Sequence, residues 1–157
     1  MSNPSTQDQI THASAVAAFE AKNFAQALPL LASLAERGDA DAQFRLAIMY
    51  QNGLGVVPNA VQAMNWMSAA AENGYALAQH GLGFMFMMGE CTPQDGAAAE
   101  IWFTRAAHQG LAGSQTTLAQ LYETGELIPK NWPQAIFWYR QAGFEDEAQR
   151  LEQASAS

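Results

Sequence analysis

At 157 residues the chain is long enough to build one domain with its own apolar core, so neither a disulfide framework nor a structural metal is needed to explain folding. Its 15 acidic and 7 basic residues give a formal charge of -8, a balance that repels nucleic-acid phosphates and anionic membrane surfaces. Cys91 is the single cysteine, which excludes an intramolecular disulfide and a four-cysteine metal site and fits a reducing, cytoplasmic compartment.

The opening residues, MSNPSTQDQITHASAVAAF, carry neither a basic head nor a continuous apolar stretch, so no signal peptide and no membrane-inserting helix is expected. A helical pair is expected over 6–36, where VAAFEAKNFAQALPLLASLAERG matches the second half of the units that follow. From there the chain repeats with a period of 36 and no gap. Gly38, Gly74 and Gly110 align, and so do Gln43, Gln79 and Gln115, Leu46, Leu82 and Leu118, Gly53, Gly89 and Gly125, and Trp66, Trp102 and Trp138. Alanine columns at 40, 63 and 70 recur in the same way. A period in this range means units too small to bury their own apolar faces, which stack on their neighbours instead.

Three full units are expected, over 37–72, 73–108 and 109–143. In the first, Ala42, Leu46, Met49 and Tyr50 have helical spacing, and so do Ala63, Trp66, Met67 and Ala70, so each unit reads as a helical hairpin. Gly53, Gly89 and Gly125 stand where a first helix stops in a left-handed residue, and Asn59, Asp95 and Asn131 stand where a side-chain oxygen caps the second. Pro133 suits the first turn after the third cap, and Gly38, Gly74 and Gly110 end the second helices. The repeated tryptophans are expected to fill the space between helices. A polar helix over 144–157, FEDEAQRLEQASAS, closes the array. The expected fold is thus all-α, a single right-handed superhelix, or solenoid, of helical hairpins.

The stretch AERGDADAQFRLAIMYQNGLGVVPNAVQAMNWMSAAAENG resembles the Sel-1-like repeat, a relative of the tetratricopeptide repeat. The motif positions are Ala35, Gly38, Ala42, Gln43, Leu46, Met49, Tyr50, Gly53, Gly55, Val56, Ala63, Trp66 and Ala70, with equivalents one and two periods later. The resemblance covers roughly residues 20 to 144. It implies an α-solenoid whose first helices line a concave face, in a family whose members mostly act as adaptors or scaffolds. Two departures stand out: Gln62, Ala98 and Gln134 replace the usual lysine, and Cys91 takes the place of Gly55. The cysteine pattern of disulfide-braced members is missing.

Little in the chain suggests catalysis or a cofactor. His12, His80 and His108 lie in different units, so no metal-ligand pair stands at helical spacing, and His80 reads as a surface contact. Glu145, Asp146 and Glu147 stand at a helix start, where they favour the dipole. Phosphate loops, nucleophile elbows and dinucleotide fingerprints are missing. No metal and no cofactor is expected.

The run Phe84, Met85, Phe86, Met87, Met88 is the feature that asks for a function. Leu82, Met85 and Phe86 fall on columns that are large and apolar in every repeat and are expected to be core. Phe84 shares a column with Gln120, and Met87 with Glu123, so packing alone does not demand a hydrophobe there. By analogy with the tetratricopeptide groove, the inward positions include Asp41, Phe44 and Ile48, then Leu77, His80, Phe84, Met87 and Met88, then Thr116, Gln120, Glu123 and Thr124. The candidate partner contacts are Phe44, Ile48, Leu77, His80, Phe84, Met87, Met88, Gln120 and Glu123. They suit a protein or peptide partner, steered by acidic surroundings if its flanks are basic. A repeat-built hydrolase and a homodimer on the same apolar stripe are the alternatives.

Overall fold

The computed structural model describes residues 5–157, and among the described residues every regular element is a helix. The helices are α1 (Thr6–Glu20), α2 (Phe24–Glu36), α3 (Ala40–Asn52), α4 (Ala60–Glu72), α5 (Ala76–Met88), α6 (Gly96–His108), α7 (Ala112–Thr124), α8 (Trp132–Gln141) and α9 (Glu145–Ser155). Helices α2, α4, α6 and α8 begin at 24, 60, 96 and 132, and α3, α5 and α7 at 40, 76 and 112. The period of the sequence is therefore the period of the backbone, and the fold is the all-α hairpin-repeat class that the period requires. No described helix is long and apolar enough to cross a membrane.

The helix ends are where the punctuation residues place them. Asn59, Asp95 and Asn131 accept hydrogen bonds from the backbone N–H of Gln62, Ala98 and Gln134, satisfying donors that a helix start leaves open. Gly53, Gly89 and Gly125 have φ of 68°, 69° and 69°, the left-handed conformation that ends a helix cheaply only for glycine. The constant glutamine column has a related cause. Gln43 Nε2 donates to the Ala35 carbonyl at 3.1 Å, and Gln115 Nε2 to the Ala107 carbonyl at 3.1 Å. Both carbonyls lie in the last turn of the preceding helix, where no intrahelical donor remains.

The chain forms two compact units, Met1–Ala78 and Gln79–Ser157, each with its own core. In the first, Leu31, Leu34, Leu46 and Met49 pack with small alanines from α1 to α3. In the second, Phe103, Leu118, Trp138, Tyr139 and Leu151 form the core, with Phe86 and Met87 packed partly buried against it.

The expectation for the tryptophans needs correction. Only Trp138 is buried, whereas Trp66 and Trp102 are half-buried. The residue after each tryptophan takes the interior position: Met67, Phe103 and Tyr139 are 2%, 0% and 5% exposed. Trp102 instead carries the Arg105 guanidinium over its ring at 4.6 Å, so one of its faces serves as a surface platform. Among the expected core residues of α5, Leu82 and Met85 are each 1% exposed, but Phe86 lies at the margin of the core.

Candidate protein-binding surface

Helix α5 packs one side and shows the other. Phe84 is 36% and Met88 67% exposed on the helix that hides Leu82 and Met85. Gly83 is buried at the contact between α5 and α6, where the absence of a side chain lets the Phe103 ring lie close. Phe103 in turn supports the surface residues: its ring meets Phe84 edge-on at 5.2 Å and His80 at 5.5 Å, and His80 meets Phe84 at 4.8 Å. Phe84 is thus an exposed ring held on a rigid base.

His80 is less of a surface group than the sequence suggested. It is half-buried, and its Nδ1 lies 2.7 Å from Oγ of the fully buried Ser114. Burial lowers its pKa, which favours the neutral imidazole, with one ring nitrogen to donate and the other to accept. This bond ties α5 to the start of α7.

Further along α7, Gln120 and Glu123 line a recess of about 570 Å³ together with Thr116 and Thr124. Tyr139 of α8, Phe144 before α9, and Glu147 and Arg150 of α9 complete its wall. Glu123 is held from two sides. Tyr139 Oη donates to Oε2 at 2.6 Å, and Arg150 Nη2 donates to Oε1 at 2.6 Å. Burial pushes the Glu123 pKa up, but these two hydrogen bonds and the nearby Arg150 and Lys130 charges outweigh it and hold the carboxyl below its usual range. Tyr139, buried and facing that carboxylate, is pushed well above the ordinary phenol. Arg150 also pairs with Glu147 at 2.9 Å, so two carboxylates share one exposed guanidinium at the recess.

The remaining candidates, apart from Met87, belong to the first unit. Phe44 stacks at 5.3 Å on Tyr75 and is half-buried, as is Ile48, while Leu77 is 44% exposed. Asp41, also expected to face inward, is engaged throughout: His12 Nε2 lies 2.9 Å from Oδ2, and Tyr75 Oη and Arg45 Nε donate to Oδ1 at 2.9 and 3.1 Å. Burial and this acidic partner push the Tyr75 phenol up to about 12. Met87 is partly buried against the second unit's core. Among the described residues no three His, Cys, Asp or Glu side chains gather into a group that could hold a metal.

The sequence reading missed Tyr139, Phe144, Glu147 and Arg150. Gly143 follows Gly110 after 33 residues rather than 36, so the register breaks before α9. Allowing that deletion aligns Leu151 with Leu118 and makes α9 the first helix of a further repeat, facing the same recess.

A family model described as Sel1 repeat matches the chain three times, over residues 40–75, 76–111 and 112–143. Among solved structures, the chain is 38% identical to c5321, a protective antigen present in uropathogenic Escherichia coli strains and displaying an SLR fold, with a TM-score of 0.71. That match covers 74% of this chain and 25% of the antigen. A Sel1 repeat protein from Oxalobacter formigenes is 31% identical with a TM-score of 0.78, over 85% of this chain and 56% of its own. The chain thus spans a quarter of one relative and just over half of the other. No curated protein matches it.

Proposed function

Because this chain belongs to the Sel1 repeat family, whose members generally mediate protein–protein interaction and are typically non-catalytic, we propose that it is a binding module that holds a protein or peptide on α5 and α7 of its second unit. The observation that carries this reading is the exposure of Phe84 and Met88, at 36% and 67%, on a helix that buries Leu82 and Met85 completely. A large apolar side chain held rigid in water is a poor surface residue and a good anchor. His80 braces Phe84, and Met88 adds a thioether that adapts to varied shapes. Gln120 and Glu123 border the neighbouring recess.

The recess suits a basic residue flanking the partner's apolar anchors. Glu123 and Glu147 share Arg150, and Phe144 offers an apolar wall for a long side-chain stem. Within the first unit, taken by itself, Phe44, Ile48 and Leu77 offer partly exposed apolar side chains of their own. Met87 packs, partly buried, against the core of the second unit.

Affinity capture from the native lysate, followed by titration of the captured protein, tests the reading. Met88→Asp is expected to leave the melting temperature nearly unchanged and Phe84→Asp to lower it without unfolding the chain, because its ring packs on Phe103 and His80. Both are expected to weaken capture more than about tenfold, since truncated anchors commonly cost at least about 2 kcal/mol. Met85→Asp, which buries an unpaired carboxylate, is expected to unfold the second unit. Capture indifferent to Phe84→Asp and Met88→Asp would refute the assignment. Light scattering over a range of concentrations separates this reading from a homodimer on the same stripe.

A further inference from the structure

The second unit shows a different exposed apolar face on α6 and α8. Ile101 is 53% and Phe137 46% exposed, and the two occupy the same column one repeat apart. The equivalent residue in the first repeat is the exposed Asn65, so packing does not require a hydrophobe at this position. One turn after Ile101, Arg105 lies over the Trp102 ring at 4.6 Å. Among the described residues it is the one arginine with no carboxylate in ion-pair range: Arg37 pairs with Asp8, Arg45 with Asp41 and Glu20, Arg140 with Glu145 and Glu152, and Arg150 with Glu123 and Glu147.

We infer that this α6–α8 face is a second docking surface, fitted to an acidic segment of a partner protein that carries large apolar anchors. Charge complementarity carries the choice of occupant. The chain has a net charge of -8, yet this face combines an unneutralised guanidinium with apolar side chains. Among the described residues no carboxylate is in ion-pair range of Arg105: Glu100 is turned to Tyr122 Oη at 2.8 Å, Glu145 and Glu152 bind Arg140, and Asp95 caps α6. Screening over about 8 Å at physiological salt leaves the local charge, rather than the total, to act on a docked segment.

The face is also pre-organised. The Trp102 ring holds the Arg105 guanidinium in place, and its planar fork suits a carboxylate better than a freely moving lysine would. Phe137 packs edge-on against Trp138 at 4.9 Å, and His108 of α6 packs on the same indole at 5.0 Å. Phe137 thus rests against the buried Trp138, which α6 reaches through His108, so this anchor has little side-chain freedom to lose on binding. The surface on α5 and α7 favours basic flanks, and this one favours acidic ones, so a single unit could join two partners of opposite charge.

Two displayed libraries of short peptides test the inference on the full chain. Both carry randomised large apolar residues, with the intervening positions restricted to Asp and Glu in one and to Lys and Arg in the other. The acidic library is expected to enrich. Its selected peptides should bind Ile101→Asp and Arg105→Glu at least about tenfold more weakly, lose affinity with added salt, and bind Phe84→Asp within about twofold of the unmodified chain. All three sites are exposed, and circular dichroism checks that each variant folds. Should Ile101→Asp unfold, Arg105→Glu decides. Enrichment of basic peptides alone, enrichment of neither library, or acidic peptides indifferent to Arg105→Glu would overturn the inference. Self-association in sedimentation that Ile101→Asp abolishes would overturn it too, by giving the face to a second copy. None of these failures touches the Phe84 and Met88 result, so the two surfaces stand or fall separately.

Discussion

Replacing Gly83 with alanine should destabilise the protein, although helix interiors ordinarily favour alanine over glycine by about 1 kcal/mol. A Cβ at this position would fall 2.8, 2.9 and 3.0 Å from Cδ1, Cε1 and Cγ of Phe103. Contacts that short force something to move, and the ring has nowhere to go: Phe103 is 0% exposed and bounded by His80 and Phe84. Overpacking of this kind costs about 1 to 3 kcal/mol, so the net effect of Gly83→Ala is a loss of up to roughly 2 kcal/mol. The first repeat has Ala47 and Met67 at the equivalent positions, both buried. In a Phe103→Met background the rigid ring is gone, and Gly83→Ala should then stabilise by about 1 kcal/mol. The difference between the two backgrounds implies a coupling of about 1 to 3 kcal/mol, beyond the additivity expected of independent sites. Urea denaturation of the parent, both single variants and the double variant, followed by far-UV circular dichroism, measures it. A stabilising Gly83→Ala in the parent, or the same effect in both backgrounds, would refute the argument.

Phe103→Ala should cost about 3 to 5 kcal/mol and Trp102→Ala only about 1 to 2, because the second side chain is half-buried; equal losses in thermal melts would contradict the assignment of the interior column. His80→Ala should cost about 1 to 3 kcal/mol by leaving the Ser114 hydroxyl buried without its partner, and His80→Asn should recover part of that if the bond matters more than the ring. Tyr139→Phe removes one of the two donors that hold the Glu123 carboxyl low. A carboxyl with a depressed folded pKa adds stability that is present above its unfolded pKa and is lost as pH falls below that value and through the folded one. Urea midpoints across that range should therefore fall less steeply for Tyr139→Phe than for the parent, and parallel curves would exclude the linkage.

The period made most of the fold legible. Helix starts, glycine stops and Asx caps all recur at 36 residues in the backbone because each is a local rule satisfied by one or two residues. Burial was harder to read, because constancy between repeats is not the same as depth. Trp66, Trp102 and Trp138 are identical yet unequally buried, while the interior column varies from Met67 to Phe103 to Tyr139. An interior position tolerates variation when its neighbour changes volume in step, as Gly83 does opposite Phe103, and that compensation is invisible to a comparison made one column at a time.

Exposure, by contrast, follows the columns of the first helices closely. Phe84 and Gln120 are both exposed, Met88 and Thr124 are both exposed, and Met87 and Glu123 are both half-buried, although no pair shares chemistry. The backbone sets how much water each column meets, and the polar member of a pair reveals it. An apolar residue opposite a polar one in the next repeat therefore marks a place where the fold does not need it, which is how Phe84 and Met88 could be separated from Leu82 and Met85. The same reasoning applied to the second helices would have found Ile101 and Phe137, whose column holds the exposed Asn65 in the first repeat. It could not have found the wall of the recess. Phe144, Glu147 and Arg150 lie beyond the three-residue deletion, and they reach the recess that Glu123 lines because α9 packs as the next first helix, a placement that depends on register rather than on composition.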